Sequence, residues 1–367
     1  MTKLFRIYNG EQNNKADRAF LGKASGIRDY DDIRYPVFLD FNKALFAEYW
    51  SEDEIKLGKD ISEYKELTEG ERYAYKMQIG ALNWLDSIAT DFNYLLGYVT
   101  TDPAIRSVFA LINSFEVLHN RSYQYLTSSV LNQHEKEESF NDVQKIPEMV
   151  ERNMHIIKPI QAAVDTMTKF MANDYLPEEE KVAELELMQA IFTGVTHYQM
   201  LEGVYFSGGF AYFHSLARNN CMLGSNDMIT LIKEDENQHN VVYGSIVQII
   251  LNEFPELNTE ENKQMVISAY KKAVELEKAW ARHVFADVDT IGIKEYDDYV
   301  EYLANTIARN SGMDDLYPAN STLKSTWINT YGSKHKPVNS DALATRESFL
   351  EQNSITYQHG GEEDFDL

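Results

Sequence analysis

Two of the nine histidines stand three residues after a glutamate, in Glu116-Val-Leu-His119 and Glu236-Asn-Gln-His239. Each pair follows a further acid: Asp86 stands 30 positions before Glu116, and Glu202 stands 34 before Glu236. On a helix, side chains three apart share a face. Two antiparallel helices joined by a short loop bring residues to equal height when each arm has about 13–15 residues, or about 20 Å of helix. Both spacings fit, so four helices can present Asp86, Glu116 with His119, Glu202, and Glu236 with His239 to one interior. The pairs alone carry little weight: with 58 acids in 367 residues, nine histidines meet an acidic neighbour at that offset about 1.4 times by chance. Their surroundings carry more. Phe109, Ile112 and Phe115 lead into the first pair, and Ile229, Ile232 and Val241 flank the second, so both lie in apolar-periodic helices.

The rest of the chain agrees with a helical reading. The eight prolines sit like punctuation, and the tracts 37–102 and 178–254 contain none. Tyr75, Ile79, Leu82, Leu85, Asp86 and Ala89 recur at helical spacing, as do Leu185, Met188, Ile191, Phe192 and Val195. Asp102 before Pro103, and Asn258-Thr259 before Glu260-Glu261, read as helix starts. Alternating strand segments are scarce. The expectation is an all-α chain with one helical domain over residues 1–335. Beyond it, residues 336–367 are polar and end in an acidic run, too poor in apolar surface to offset their ordering entropy, and read as a mobile C-terminal tail.

Composition excludes several classes. The 58 acids against 34 basic residues give a net charge of −24, which repels phosphate and argues against a nucleic-acid partner. Cys221 is the single cysteine, so no internal disulfide framework and no Cys-rich zinc or iron–sulfur site is available. No apolar run reaches the ~18 residues a membrane span needs, and the N-terminus lacks a secretory h-region. A cytoplasmic protein without a membrane segment is expected.

An acid from each of two helices and Glu-x-x-His from two others is the ligand pattern of ferritin-like dinuclear carboxylate bundles. Four carboxylates nearly neutralise two divalent ions and can bridge metals about 3.5–4 Å apart. Oxygen ligands with two imidazoles and no thiolate suit two iron ions, with manganese as the alternative. Four buried carboxylates without metal would make little energetic sense.

The neighbours of these ligands resemble a known family, the small, radical-generating subunit of class I ribonucleotide reductase. The resemblance runs from about residue 40 to 245 and resumes in the tail. Its most specific motif is Glu116-Val-Leu-His119-Asn-Arg-Ser-Tyr123, joined by Leu85-Asp86-Ser87-Ile88, by Glu202-Gly-Val-Tyr-Phe206-Ser-Gly-Gly-Phe210 and by Asp235-Glu236-Asn-Gln-His239. The resemblance implies that Tyr123, one helical turn from His119, carries a stored radical generated with O₂. It implies an apolar pocket around that radical, made by Phe206, Phe210 and Ile232. Trp50 matches the family's tryptophan on the radical-transfer route, and Asp235 the aspartate coupling it to the ligand His119. In the tail, Glu351 and Tyr357 resemble the mobile relay pair.

A homodimer is then expected, bound through the tail to a separate large subunit that reduces ribonucleotides to deoxyribonucleotides, with no added N-terminal nucleotide-binding domain. A ferritin-like iron-binding or storage protein shares the ligands but needs neither Tyr123 nor the tail, and a dinuclear-iron oxygenase should use a substrate cavity instead of a buried oxidisable tyrosine. Two features depart from the family pattern. Glu234 stands where the family often has arginine, and Gly208-Gly209 interrupts a presumed helix, marking either local unwinding or close packing.

Overall fold

Helices account for the architecture, and capping fixes where several of them begin. The computed structural model describes residues 16–23, 26–318 and 327–328. Among these, eleven α-helices follow in order: α1 Val37–Ala47, α2 Asp60–Glu66, α3 Glu69–Val99, α4 Pro103–Val130, α5 Gln133–Asn141, α6 Pro147–Ala172, α7 Pro177–Met200, α8 Ser207–Arg218, α9 Leu223–Glu253, α10 Glu260–Val284 and α11 Ile293–Asn310. The described residues contain no strand, only an isolated antiparallel bridge between Phe20 and Thr100. No helix among them is long and apolar enough to cross a membrane. The tail expected at 336–367, with Glu351 and Tyr357, lies outside the described residues.

The start of α3 is a capping box in which Thr68 accepts from the Glu71 amide while the Glu71 side chain accepts from the Thr68 amide. Asp102 caps α4 by accepting from the amides of Ala104 and Ile105, and Pro103 takes the first helical position, where no amide proton is needed. Thr259 accepts from the Asn262 amide to open α10. One proline departs from its reading as punctuation: Pro159 lies inside α6. It is half-buried, and the long helix on either side absorbs the one backbone hydrogen bond that proline removes.

Helices α3 and α4 form an antiparallel hairpin closed by residues 100–102, whose amides at Thr101 and Asp102 donate to the Ala19 carbonyl at 2.7 and 3.2 Å. The segment α7–α8 packs on α9 as the second hairpin, with α6, α10 and α11 covering its outer side. Between α7 and α8 the chain does not break but widens into a π-helical turn, Leu201–Phe206, every residue of which is buried. Gly203 in this turn lies so close to Ile307 and the Asn240 amide that a Cβ has no room. A Cβ on Gly208 would sit 2.7 Å from Glu277 Oε1 and 2.8 Å from Tyr296 Oη. The glycine at 208 therefore marks close packing, and the unwinding lies one turn earlier.

Candidate metal centre

The two hairpins deliver the six expected side chains to one place. On α3, Asp86 lies thirteen residues from the helix end at Val99, and on α4 Glu116 lies thirteen from Pro103, so the first hairpin aligns them. In the second hairpin the arms are unequal, sixteen residues from Glu202 to Arg218 and thirteen from Leu223 to Glu236. Glu202 sits in the π turn, which packs extra residues into the longer arm; such turns are rare and concentrate at functional sites. All six side chains are at most 1% exposed.

Ligand atoms of Asp86, Glu116, His119 and Glu236 lie within 4.8 Å of one another, and so do those of Glu116, Glu202, Glu236 and His239. The two groups share Glu116 and Glu236. Glu116 spans the histidines, with Oε2 3.7 Å from His119 Nδ1 and Oε1 3.4 Å from His239 Nδ1. Glu236 does the same, with Oε1 3.0 Å from His119 Nδ1 and Oε2 2.7 Å from His239 Nδ1. Two adjacent four-ligand sets with two common carboxylates suit a pair of divalent cations bridged by those carboxylates.

The donor atoms ask for such ions. Both oxygens of Asp86, both of Glu202, Glu116 Oε2, Glu236 Oε1 and His119 Nδ1 are buried without a hydrogen-bond partner. An unpaired buried carboxylate is expensive, and the titration of the group reflects that cost. Burial, reinforced by the Glu116 carboxylate, pushes Asp86 well above the usual carboxylate range. Burial and the Glu236 and Glu116 carboxylates do the same to Glu202. Burial also opposes ionisation of Glu236, but the imidazoles of His119 and His239 outweigh it and hold this carboxyl below its usual range. Against the opposing effect of burial, Glu236 and Glu116 raise both histidines, with Asp235 adding to the effect on His119. A cation pair would take over the charge-balancing that protons perform in its absence.

Of the other expected residues, Asp235, Trp50 and Tyr123 adjoin this set. Asp235 Oδ2 accepts from Trp50 Nε1 at 2.7 Å and from His119 Nε2 at 3.1 Å. With Nε2 engaged, Nδ1 of His119 faces the carboxylates, where a metal would displace its proton, the usual way an outer carboxylate fixes the orientation of a metal-binding imidazole. The Trp50 ring stacks on His119 with centroids 6.2 Å apart and planes 20° from parallel. Tyr123 is fully buried, its hydroxyl has no hydrogen-bond partner, and burial with the nearby Asp86 charge drives its pKa far up. Phe206 and Phe210 are buried and stacked at 6.1 Å, and Ile232 is buried on α9. Glu234 turns to the exposed side of α9, away from the ligands, while the neighbouring Lys233 is buried and lowered by that burial to about 8.

One contact was not expected from the sequence. The hydroxyl of Tyr198, in the last turn of α7, donates to Glu116 Oε1 at 2.9 Å. Its only sequence signal is its place one helical turn before Glu202.

Comparison with known proteins follows the same pattern. The family model described as ribonucleotide reductase, small chain, matches residues 28–324. The ribonucleoside-diphosphate reductase subunit beta of Halalkalibacterium halodurans is 31% identical over 353 residues, 96% of this chain and 94% of the relative. The structure of the ribonucleotide reductase R2 subunit from Clostridium botulinum superposes with a TM-score of 0.79 at 24% identity, covering 89% of this chain and 98% of that one. The dimanganese(II)-NrdF of Streptococcus sanguinis gives a TM-score of 0.69 at 20% identity, over 83% of this chain and 99% of that one. These two structures share its fold.

Proposed function

Because the chain belongs to the small-chain family of ribonucleotide reductase, we propose that its six buried acids and histidines hold the metal pair with which such subunits make a radical. Members of this family are oxidoreductase subunits that work with a large subunit and typically form dimers. The observation that carries the residue assignment is the overlap of two buried ligand sets through Glu116 and Glu236. Asp86 and His119 would complete one metal site, and Glu202 and His239 the other.

The oxygen-rich donor set suits two iron ions, and manganese equally well by ligand hardness; the likeness to the Streptococcus sanguinis dimanganese protein gives the second metal its case. When bound and oxidised by O₂, the pair supplies a one-electron oxidant. This chain's own residues would do the rest. Tyr123, one turn from His119, would give up an electron to that oxidant and its phenolic proton to the ligand set, whose Asp86 carboxylate acts on it most strongly, and would hold the neutral radical. Burial beside Phe206, Phe210 and Ile232 would keep water and reductants from it. Asp235 would hold His119 in the metal-binding tautomer and tie it to the Trp50 indole, so that Trp50 begins the route outward. Tyr357 would continue that route in the tail, whose Phe365 and Leu367 would anchor in the large subunit.

The test is reconstitution with iron(II) or manganese(II), exposure to O₂ and assay of ribonucleoside diphosphate reduction with the large subunit. The expected result is about two ions per chain, turnover that needs both proteins, and loss of turnover when residues 350–367 are removed while metal content is unchanged. Iron uptake far beyond that ratio, with no nucleotide reduction, would overturn the assignment in favour of storage.

A further inference from the structure

Three tyrosines, Tyr123, Tyr198 and Tyr243, stand four residues from a proposed ligand, and of these only Tyr198 is hydrogen-bonded to the set. Tyr123 follows His119 by four residues, and its hydroxyl is unpartnered. Tyr198 precedes Glu202 by four and donates to Glu116 Oε1 at 2.9 Å, the oxygen on the His239 side. Tyr198 thus adjoins the half of the centre opposite the Trp50–Asp235–His119 link. Its own oxygen accepts from Asn93 Nδ2 at 2.8 Å, and Asn93 is oriented in turn by the Tyr243 hydroxyl, which donates to Asn93 Oδ1. The Tyr198 and Tyr243 rings lie 4.4 Å apart, and Phe92 packs on the other side at 5.6 Å. All of these residues are buried.

A phenol that donates to a carboxylate can lose a proton and an electron together without creating a buried charge. The proton has an acceptor at hydrogen-bond distance, and the Asn93 amide stabilises the oxygen left behind. From this geometry we infer that Tyr198 is a second redox-active tyrosine of the centre, oxidised transiently where Tyr123 stores. In that step the Tyr198 O–H bond breaks, its electron passes to the oxidised metal pair and its proton to Glu116 Oε1. The reverse step restores both. The same hydrogen bond that permits oxidation keeps the proton beside the oxygen, so the Tyr198 radical is short-lived. The Tyr123 hydroxyl has no such neighbour, which suits it to storage. This inference rests on the reading of the six residues as a dinuclear centre.

Rapid freeze-quench high-field electron paramagnetic resonance on full-length protein, loaded with iron(II) and mixed with O₂, tests it. Wild type serves as the control, since a stable tyrosyl signal there shows that the centre reacts. Tyr123→Phe is expected to give a transient tyrosyl signal that is absent from Tyr123→Phe/Tyr198→Phe. Its largest g-value should lie below that of the stored radical, because its oxygen accepts a hydrogen bond, and should rise when Asn93→Ala is added to Tyr123→Phe. That shift does not depend on the double variant and would not follow from a merely structural role. A reactive wild type with no tyrosyl transient in Tyr123→Phe would overturn the inference while leaving the centre intact. So would a transient that survives in the double variant, or one whose g-value ignores Asn93→Ala. A wild type that binds metal but forms no radical would instead remove the reading on which the inference rests.

Discussion

Asp86 and Glu202 carry the electrostatic tension of the centre, since none of their carboxylate oxygens has a hydrogen-bond partner. Both are raised by burial and by neighbouring carboxylates, so the folded chain without metal holds protons that the unfolded chain releases near pH 4. Stability from such groups is full below the unfolded pKa and is lost as pH rises through the folded one. His119 and His239, also raised, act in the same direction from about pH 6.5 upward. Glu236, lowered, acts oppositely, but only in acid below its unfolded value. The metal-free protein should therefore lose thermal stability between pH 5 and pH 8, and the gain in midpoint on adding manganese(II) should grow over that range, because binding must displace those protons. Thermal unfolding with and without metal measures both slopes. Glu202→Gln, which cannot ionise, should flatten the metal-free one; an equally steep slope in that variant would show that Glu202 is not its source.

The π turn at Leu201–Phe206 decides where Glu202 points, and its geometry depends on the absence of a side chain at Gly203. Gly203→Ala forces a methyl group against Ile307 and Asn240 and should cost about 1–3 kcal/mol, with metal content falling toward one ion per chain as Glu202 is displaced. Gly97 in α3 meets nothing within 4 Å of a built Cβ, so Gly97→Ala should be neutral or stabilising by up to about 1 kcal/mol. Thermal midpoints and metal analysis of the two variants give the comparison, and an unaffected Gly203→Ala would mean that the turn does not need the glycine. The contrast also explains what the sequence could convey. The α3–α4 hairpin was legible because its arms are regular helices, so counting from Asp86 to Glu116 is counting along a ruler. The π turn was not: one widened turn leaves the apolar pattern on either side intact, and Gly208-Gly209 drew attention to a place just beyond it. Pro159 misled for a related reason, since a long helix with a packed face can tolerate one missing amide. Tyr198 was illegible because its bond to Glu116 joins residues 82 positions apart, on helices of different hairpins.

At the scale of the whole molecule, the helices form a frame whose described interior gathers its unpartnered carboxylates at the ligand set, while a buried ion pair such as Arg152–Glu277 is matched within the protein. Around that set Phe115 packs against both imidazoles, and Tyr123, Phe206, Phe210 and Ile232 are among the buried aromatic and aliphatic side chains of the core. Dry surroundings strengthen electrostatic interactions within the centre and exclude reductants, both of which a stored radical requires. The arrangement has a direction. His119, Asp235 and Trp50 lead from one half of the ligand set toward the turn after α1, while Tyr198, Asn93 and Tyr243 back the other half. The account stands or falls on Tyr123 as the residue that stores the oxidising equivalent between these two ends. Electron paramagnetic resonance of the metal-loaded, O₂-treated protein, recorded minutes after mixing, tests that most directly. The expected result is a persistent tyrosyl signal in wild type that is absent from Tyr123→Phe, with metal content and thermal midpoint unchanged because only a hydroxyl is lost. A persistent signal of the same line shape in Tyr123→Phe would contradict it.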